Sequence, residues 1–229
     1  MKEFVIALIA ISFTVFIYMA AKKFNQRFPN PFTLPLLVGT AVMVIFFVAF
    51  QIDYDTYMIG GQWIEMLLGP AVVALAYPLY KQWEMLKTYF VPIMTGVLIG
   101  AVIGVVSGLQ LAKWLGVEEE VIYSLVPKSV TTPVAMDVAA TLGGAPPLAA
   151  IFVMVAGLGG VVLSPYVLRW FKIDHYLGKG IGIGSASHAI GTAKALENGE
   201  KEGAASSVAM TLSAIVVSII GPMLVFLIY

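Results

Sequence analysis

Lys128, Ser129, Thr131 and Thr132 crowd one short stretch of the chain, and Ser185, Ser187, His188 and Thr192 crowd another. Hydroxyls, one ammonium and one imidazole are suited to holding a small anion by charge and hydrogen bonds. They do not form a nucleophile–base pair, so the chemistry they suggest is binding and not bond-making. Thr132-Pro133 reads as a helix start, with a hydroxyl at the N-cap and Pro at the first helical position. The half-helix running to Leu142 then aims its amides and positive dipole end at an anion, beside the full charge of Lys128. The plainer alternative is that Pro127 and Pro133 kink a crossing helix while Lys128 snorkels to an interface.

In the second stretch Gly180, Gly182 and Gly184 permit close backbone approach, and Ser185 or Ser187 caps the helix that follows. His188 then falls in the first turn, where it serves as a neutral donor to a carboxylate or as a proton carrier. Glycines four apart also serve simple helix packing, and a lone His is often just a structural hydrogen-bonding residue. Asp137 lies one turn past Pro133, placed either for ion or proton coupling or for pairing with Lys128. Pro70, Pro127, Pro133, Gly182, Gly184 and Gly191 are the expected breaks or hinges. No metal site is expected, because the two histidines have no Cys or carboxylate at ligand spacing, and no cofactor fingerprint is present.

The elements that must position these residues are set by composition. The chain has 229 residues, 60% hydrophobic and 11% charged, with mean hydropathy +0.94. Soluble domains carry roughly 25% charged residues, so this is an all-α integral membrane protein. Zero formal net charge argues against a nucleic-acid partner, and the absence of cysteine removes disulfides and thiolate chemistry. Six segments are long and apolar enough to cross a bilayer: roughly 4–21, 34–52, 62–80, 89–111, 147–170 and 203–228. The first ends at Lys22 and Lys23 and is read as a retained helix, not a cleaved signal. Gly69-Pro70 and Pro78 kink the third.

The two polar stretches fall in 119–143 and 181–197, at membrane depth. Lys22, Lys23, Arg27, Lys81 and Lys87 place the first and third loops in the cytoplasm. The loop with Arg169, Lys172 and Lys179 joins them only if 119–143 folds back. Charge therefore favours two re-entrant hairpins meeting near the midplane, with a broken crossing helix as the alternative. Trp63, Trp83, Trp114 and Trp170 lie near segment ends, as an interfacial belt requires. Phe50-Gln-Ile-Asp53 recurs as Phe171-Lys-Ile-Asp174, the trace of a weak inverted repeat with halves 1–115 and 116–229 inside one domain, 1–229. Gly96, Gly100 and Gly104 suggest a tight helix contact, within the chain or in a homodimer.

Four motifs give the chain a family resemblance. They are Leu68-Gly-Pro-Ala-Val-Val-Ala-Leu-Ala76 with Pro78-Leu-Tyr80, Ser124-Leu-Val-Pro-Lys-Ser-Val-Thr-Thr-Pro133, Gly184-Ser-Ala-Ser-His-Ala-Ile-Gly-Thr-Ala193, and Gly203-Ala-Ala-Ser-Ser-Val-Ala-Met210. Over nearly its full length the sequence resembles the LrgB/CidB family of bacterial membrane proteins. The resemblance implies two roles. One is a holin/antiholin-like regulator of murein hydrolase activity and lysis, acting with an LrgA/CidA-type membrane subunit. The other is carriage of small carboxylates, of glycolate and glycerate as in similar plastid proteins or of pyruvate as in some bacterial LrgA/LrgB-type pairs. Either role places the chain in the bacterial inner membrane. The buried cation and hydroxyls favour the carrier, with a small carboxylate anion and the lipid bilayer as partners and alternating, elevator-like motion of the hairpins.

Overall fold

The computed structural model describes residues 2–74 and 76–228, and every element among them is helical. Contacts divide the chain into two compact units, Met1–Ala71 and Val72–Tyr229.

The first unit holds α1 (Lys2–Arg27), a 3-10 turn (Pro31–Thr33), α2 (Pro35–Phe50) and α3 (Tyr54–Glu65). α1 packs against α3 where Gly60 leaves no room for a side chain: a Cβ there would lie 2.6 Å from the Ala7 carbonyl oxygen. Phe13, Phe46 and Phe50 form an aromatic chain between α1 and α2, with ring centroids 4.6 Å and 4.5 Å apart.

α4 (Leu68–Ala74) carries the boundary and leads to α5 (Ala76–Lys81) and α6 (Trp83–Thr88). The expected third span falls within a longer stretch, Tyr54–Lys81, that remains long and apolar enough to cross although its helix is broken. The chain turns at Met66-Leu67, and Pro70 sits in the first turn of α4, where its missing N–H costs little.

The second unit continues through α7 (Phe90–Trp114), α8 (Glu119–Leu125), α9 (Thr132–Leu142), α10 (Pro146–Trp170), α11 (Tyr176–Asn198) and α12 (Glu200–Ile228). Five described stretches are long and apolar enough to span a membrane: Lys2–Arg27, Tyr54–Lys81, Phe90–Trp114, Pro146–Trp170 and Glu200–Ile228. The sequence led us to expect six. The missing one is α2, whose 16 residues are fixed by Pro35 at one end and left-handed Gln51 (φ 51°) at the other. At 1.5 Å per residue they reach about 24 Å, short of a ~30 Å hydrocarbon core.

Large apolar side chains cover the outside, among them Phe226 at 91% exposure, which suits a lipid solvent. All four tryptophans are exposed at or near helix ends, as a belt requires.

Both polar stretches are chain reversals. Twenty residues of continuous helix would separate Ser124 from Gly144 by about 30 Å. Instead Ser124 Oγ accepts from the Ala145 amide at 2.8 Å, and a Cβ on Gly144 would lie 2.6 Å from the Ser124 nitrogen. α8 and α9 are therefore the two arms of a hairpin, turned by Val126–Val130 with 3-10-type bonds from Lys128 to Leu125 (3.1 Å) and Val130 to Pro127 (3.1 Å).

α11 is likewise two arms, 176–187 and 189–198, broken at His188, whose φ of 42° and ψ of −133° leave the helical region. Eight residues of helix would part Ile183 and Gly191 by about 12 Å, yet a Cβ on Gly191 would lie 2.8 Å from Ile183 Cγ2. Gly180 and Leu196, on opposite arms, both pack on the start of α12 at Glu202, Gly203 and Ala205.

Candidate functional site

The tips of the two hairpins meet on one face of α7. Gly96, Gly100, Gly104 and Gly108 repeat every four residues and form a groove floor along that face. A Cβ on Gly96 would lie 2.8 Å from Ile181 Cγ2, and one on Gly100 would lie 3.6 Å from Ser185 Cβ, so the first arm of α11 runs up this floor. A Cβ on Gly104 would lie 3.8 Å from Ser129 Oγ, and one on Gly108 would lie 2.6 Å from Lys128 Nζ. Gly100 and Gly104 are neighbours one turn apart, about 6 Å. The residues flanking the two reversals are therefore brought together.

The second wall is α10. His188 Nε2 donates to the Val153 carbonyl at 2.9 Å. The His188 ring abuts Gly157 through Cε1 and Nε2, and the Ser187 hydroxyl presses on Gly160 in direct contact. The two hairpins approach α10 from opposite ends, because Ser124 binds Ala145 at its start and α11 follows its finish. The third wall is α12, where Thr192 bonds Ser206 Oγ at 2.8 Å and donates to Met210 Sδ at 3.8 Å.

Three buried hydroxyls in this region have no hydrogen-bond partner: Thr131, Ser185 and Ser187. An unsatisfied buried polar group costs about 1–3 kcal/mol, and most such groups in folded proteins are paired. Two of the three, Ser185 facing Gly100 of α7 and Ser187 facing Gly160 of α10, lie in the last turn before the break in α11, and the third caps α9. Thr131 is the N-cap of α9, with extended backbone, yet its side chain makes no cap bond. The helix start is one residue earlier than Thr132-Pro133 suggested, with Pro133 in the first turn. The N-terminus of α9 and that of the 189–198 arm both begin at the tips, so two positive dipole ends face the same region.

Other expected site residues divide. Lys128 donates to the Gly104 carbonyl at 2.7 Å and keeps two more donors. Ser129 and Thr132 are half-buried beside it, and Pro127 is fully buried under the turn. Asp137 is exposed and forms no ion pair with Lys128. Thr192 has its hydroxyl committed to α12. The reversal is at His188 itself, so Ser185 and Ser187 end one arm and do not cap the next. Gly182 and Gly184 lie inside regular helix; Gly184 receives the backbone of Ser206 in direct contact, whereas Gly182 faces open space. Gly191 sits just past the break, against Ser187 and Ile183, and lets the two arms close.

Reading the sequence missed Gly108, Gly157, Gly160 and Ser206. The first extends a four-residue glycine spacing already visible, and the glycines of α10 stand out in the middle of an apolar helix. Ser206 falls within the last of the four family motifs, but its partner Thr192 is evident only once the arms fold onto α12.

Apolar spanning helices with polar reversals packed between them define a multi-pass membrane protein. The chain belongs to the LrgB-like family, whose profile matches residues 14–227. It is 51% identical to the uncharacterized protein YxaC of Bacillus subtilis, over 99% of each chain. It is 42% identical to YwbG of the same organism, over 96% of this chain and 97% of that one. It is 38% identical to the holin-like protein CidB of Staphylococcus aureus, over the whole of both chains. No solved structure matches.

Proposed function

We propose that this chain is a secondary carrier of small monocarboxylates in the bacterial inner membrane, not an enzyme, and that the two hairpins are re-entrant and meet near the midplane. The observation that carries the proposal is the set of three unpartnered buried hydroxyls, Thr131 at the start of α9 and Ser185 and Ser187 just before the break in α11, next to two helix N-termini. A carboxylate accepts hydrogen bonds at two oxygens, so it can satisfy such donors while the dipole ends and Lys128 offset its charge. A site with no acidic side chain among these groups suits an anion better than a free cation. His188 contributes position: its bond to Val153 fixes the tip, and its ring nitrogen is available to a protonated substrate or a coupling proton. Alternating access would move the hairpin pair against the other helices.

The test is uptake of labelled pyruvate, glycolate and glycerate into proteoliposomes by wild type, Ser187→Ala and Thr131→Val. Saturable uptake of one of them, with KM raised at least tenfold in the variants, is the expected result. Wild-type kinetics in both variants would overturn the site.

A second reading is favoured by the relative named holin-like protein CidB. On it, the chain regulates murein hydrolase activity and lysis with a CidA/LrgA-type subunit, and the hairpins shape an oligomeric contact. That reading expects unselective, non-saturating dye leakage that depends on the partner subunit.

A further inference from the structure

A cavity of about 670 Å³ opens at the base of the second hairpin, between the end of α10 and the two arms of α11. Arg169, Lys172, Lys179 and Lys194 line it, against only Asp174 and Glu202. Glu202 is buried and bound by Asn198 Nδ2 at 2.8 Å, and Lys194 is paired with Glu197 at 2.8 Å. Among the described residues no ion pair neutralises Arg169, Lys172 or Lys179. The cavity is therefore electropositive, and clefts of one sign raise the local concentration of the opposite ion.

Its inner wall includes Ile183. That side chain is buried and abuts Gly191, which in turn abuts Ser187 at the tip. One turn of helix, with one isoleucine side chain on it, separates the basic cavity from the unpartnered Ser187 hydroxyl.

We infer that this cavity is the entry vestibule for a small anionic solute, and that Ile183 is the side chain closing it from the hairpin tips. The identity of the solute as a carboxylate rests on the carrier reading; the anion selectivity of the cavity does not. The chain contains no cysteine, so a single introduced thiol is a clean probe. Leu168→Cys and Ile183→Cys, both lining the cavity, are reconstituted in phosphatidylcholine vesicles. They are modified with a sulfonate-bearing and with a trimethylammonium-bearing methanethiosulfonate, each rate being normalised to that of free 2-mercaptoethanol.

The expected result is an anionic preference of about tenfold or more, falling to near parity when Arg169, Lys172 and Lys179 are changed to Gln. Equal normalised rates at both thiols would overturn the inference. Tyr166 and Trp170 flank Arg169 and Lys172 on another face, so a lipid headgroup is the competing occupant. Loss of the preference in phosphatidylglycerol vesicles would assign the cavity to that headgroup and overturn the inference. Ile183→Trp should abolish uptake while the preference at Leu168→Cys persists. An anionic preference without saturable uptake of any carboxylate would overturn the carrier reading alone.

Discussion

His188 holds a backbone conformation that most side chains avoid, with φ 42° and ψ −133°. Left-handed φ on a non-glycine residue costs about 1–3 kcal/mol and persists where the surroundings over-determine it. Here the bond to Val153 and the close contact of the ring with Gly157 supply that constraint. His188→Gly removes the ring and relieves the backbone, whereas His188→Ala removes the ring and keeps the strain. The alanine variant should therefore unfold at lower temperature, being less stable than the glycine variant by about 1 kcal/mol, while both lose uptake. Equal melting temperatures would mean that the backbone at the tip relaxes at no cost. Ser187→Ala makes the complementary case. The Ser187 hydroxyl has no partner, so its removal should leave thermal stability intact or slightly raised while KM rises. A structural hydroxyl would behave in the opposite way. That the helix is interrupted in this stretch was legible from type and spacing, since glycines, hydroxyls and a His are out of place in an uninterrupted apolar span. The exact pivot was not legible. Three glycines before His188 looked like the break, yet Gly180 and Gly184 are needed for packing on α12 and Gly182 lies in open helix, and glycine at a helix contact is indistinguishable in sequence from glycine in a turn.

At the scale of elements, two glycines in the same arm should respond oppositely to one methyl group. Gly182 is exposed and helical, with nothing within 4 Å of an added Cβ. Gly182→Ala should stabilise by about 0.5–1 kcal/mol through helix propensity. Gly184 has the Ser206 backbone where the methyl would go, so Gly184→Ala must separate α11 from α12 and should sharply lower the melting temperature and the folded yield in detergent. Comparable melting curves for the two would contradict the packing described here. The repeated tetrapeptide also has a local cause. Gln51 (φ 51°) and Lys172 (φ 52°) are both left-handed, and the following isoleucine amide bonds back to Phe47 or Leu168 at 2.9 Å in each case. Both copies are the same helix-ending device, a left-handed cap with a hydrophobic residue behind it. That device accounts for the likeness of the two tetrapeptides, three of whose four residues are identical, without requiring duplicated halves. The long helices were legible because apolar runs of that length have few alternatives in lipid. The folding of the two arms of α11 onto α12 was not, because it rests on Gly180, Gly184, Thr192 and Ser206 meeting across distant sequence.

For the whole molecule, the sharpest consequence of opposed hairpins is the side of the membrane on which each base lies. A crossing segment delivers its two ends to opposite faces, whereas a re-entrant one returns both to the same face. Glu119 begins α8, and Thr141 lies in the last turn of α9; both are exposed. In a chain without native cysteine, Glu119→Cys and Thr141→Cys should both react with a membrane-impermeant maleimide added outside intact cells. Lys179→Cys and Lys201→Cys, near the base of the second hairpin, should react only after the membrane is opened. The charge pattern points the same way, because returning 119–143 to its starting face keeps Arg169, Lys172 and Lys179 on the cytoplasmic side with Lys81 and Lys87. If Glu119→Cys and Thr141→Cys label from opposite sides, the first reversal crosses the bilayer and the basic cavity faces outward. Two half-helix N-termini would then no longer enter from opposite faces, and the case for a midplane anion site would fall with them. Labelling of both on the outer face fixes a geometry in which each hairpin tip reaches the other only by passing half the membrane. A packed bundle has no need of that arrangement, whereas a carrier that alternates access to one buried site does.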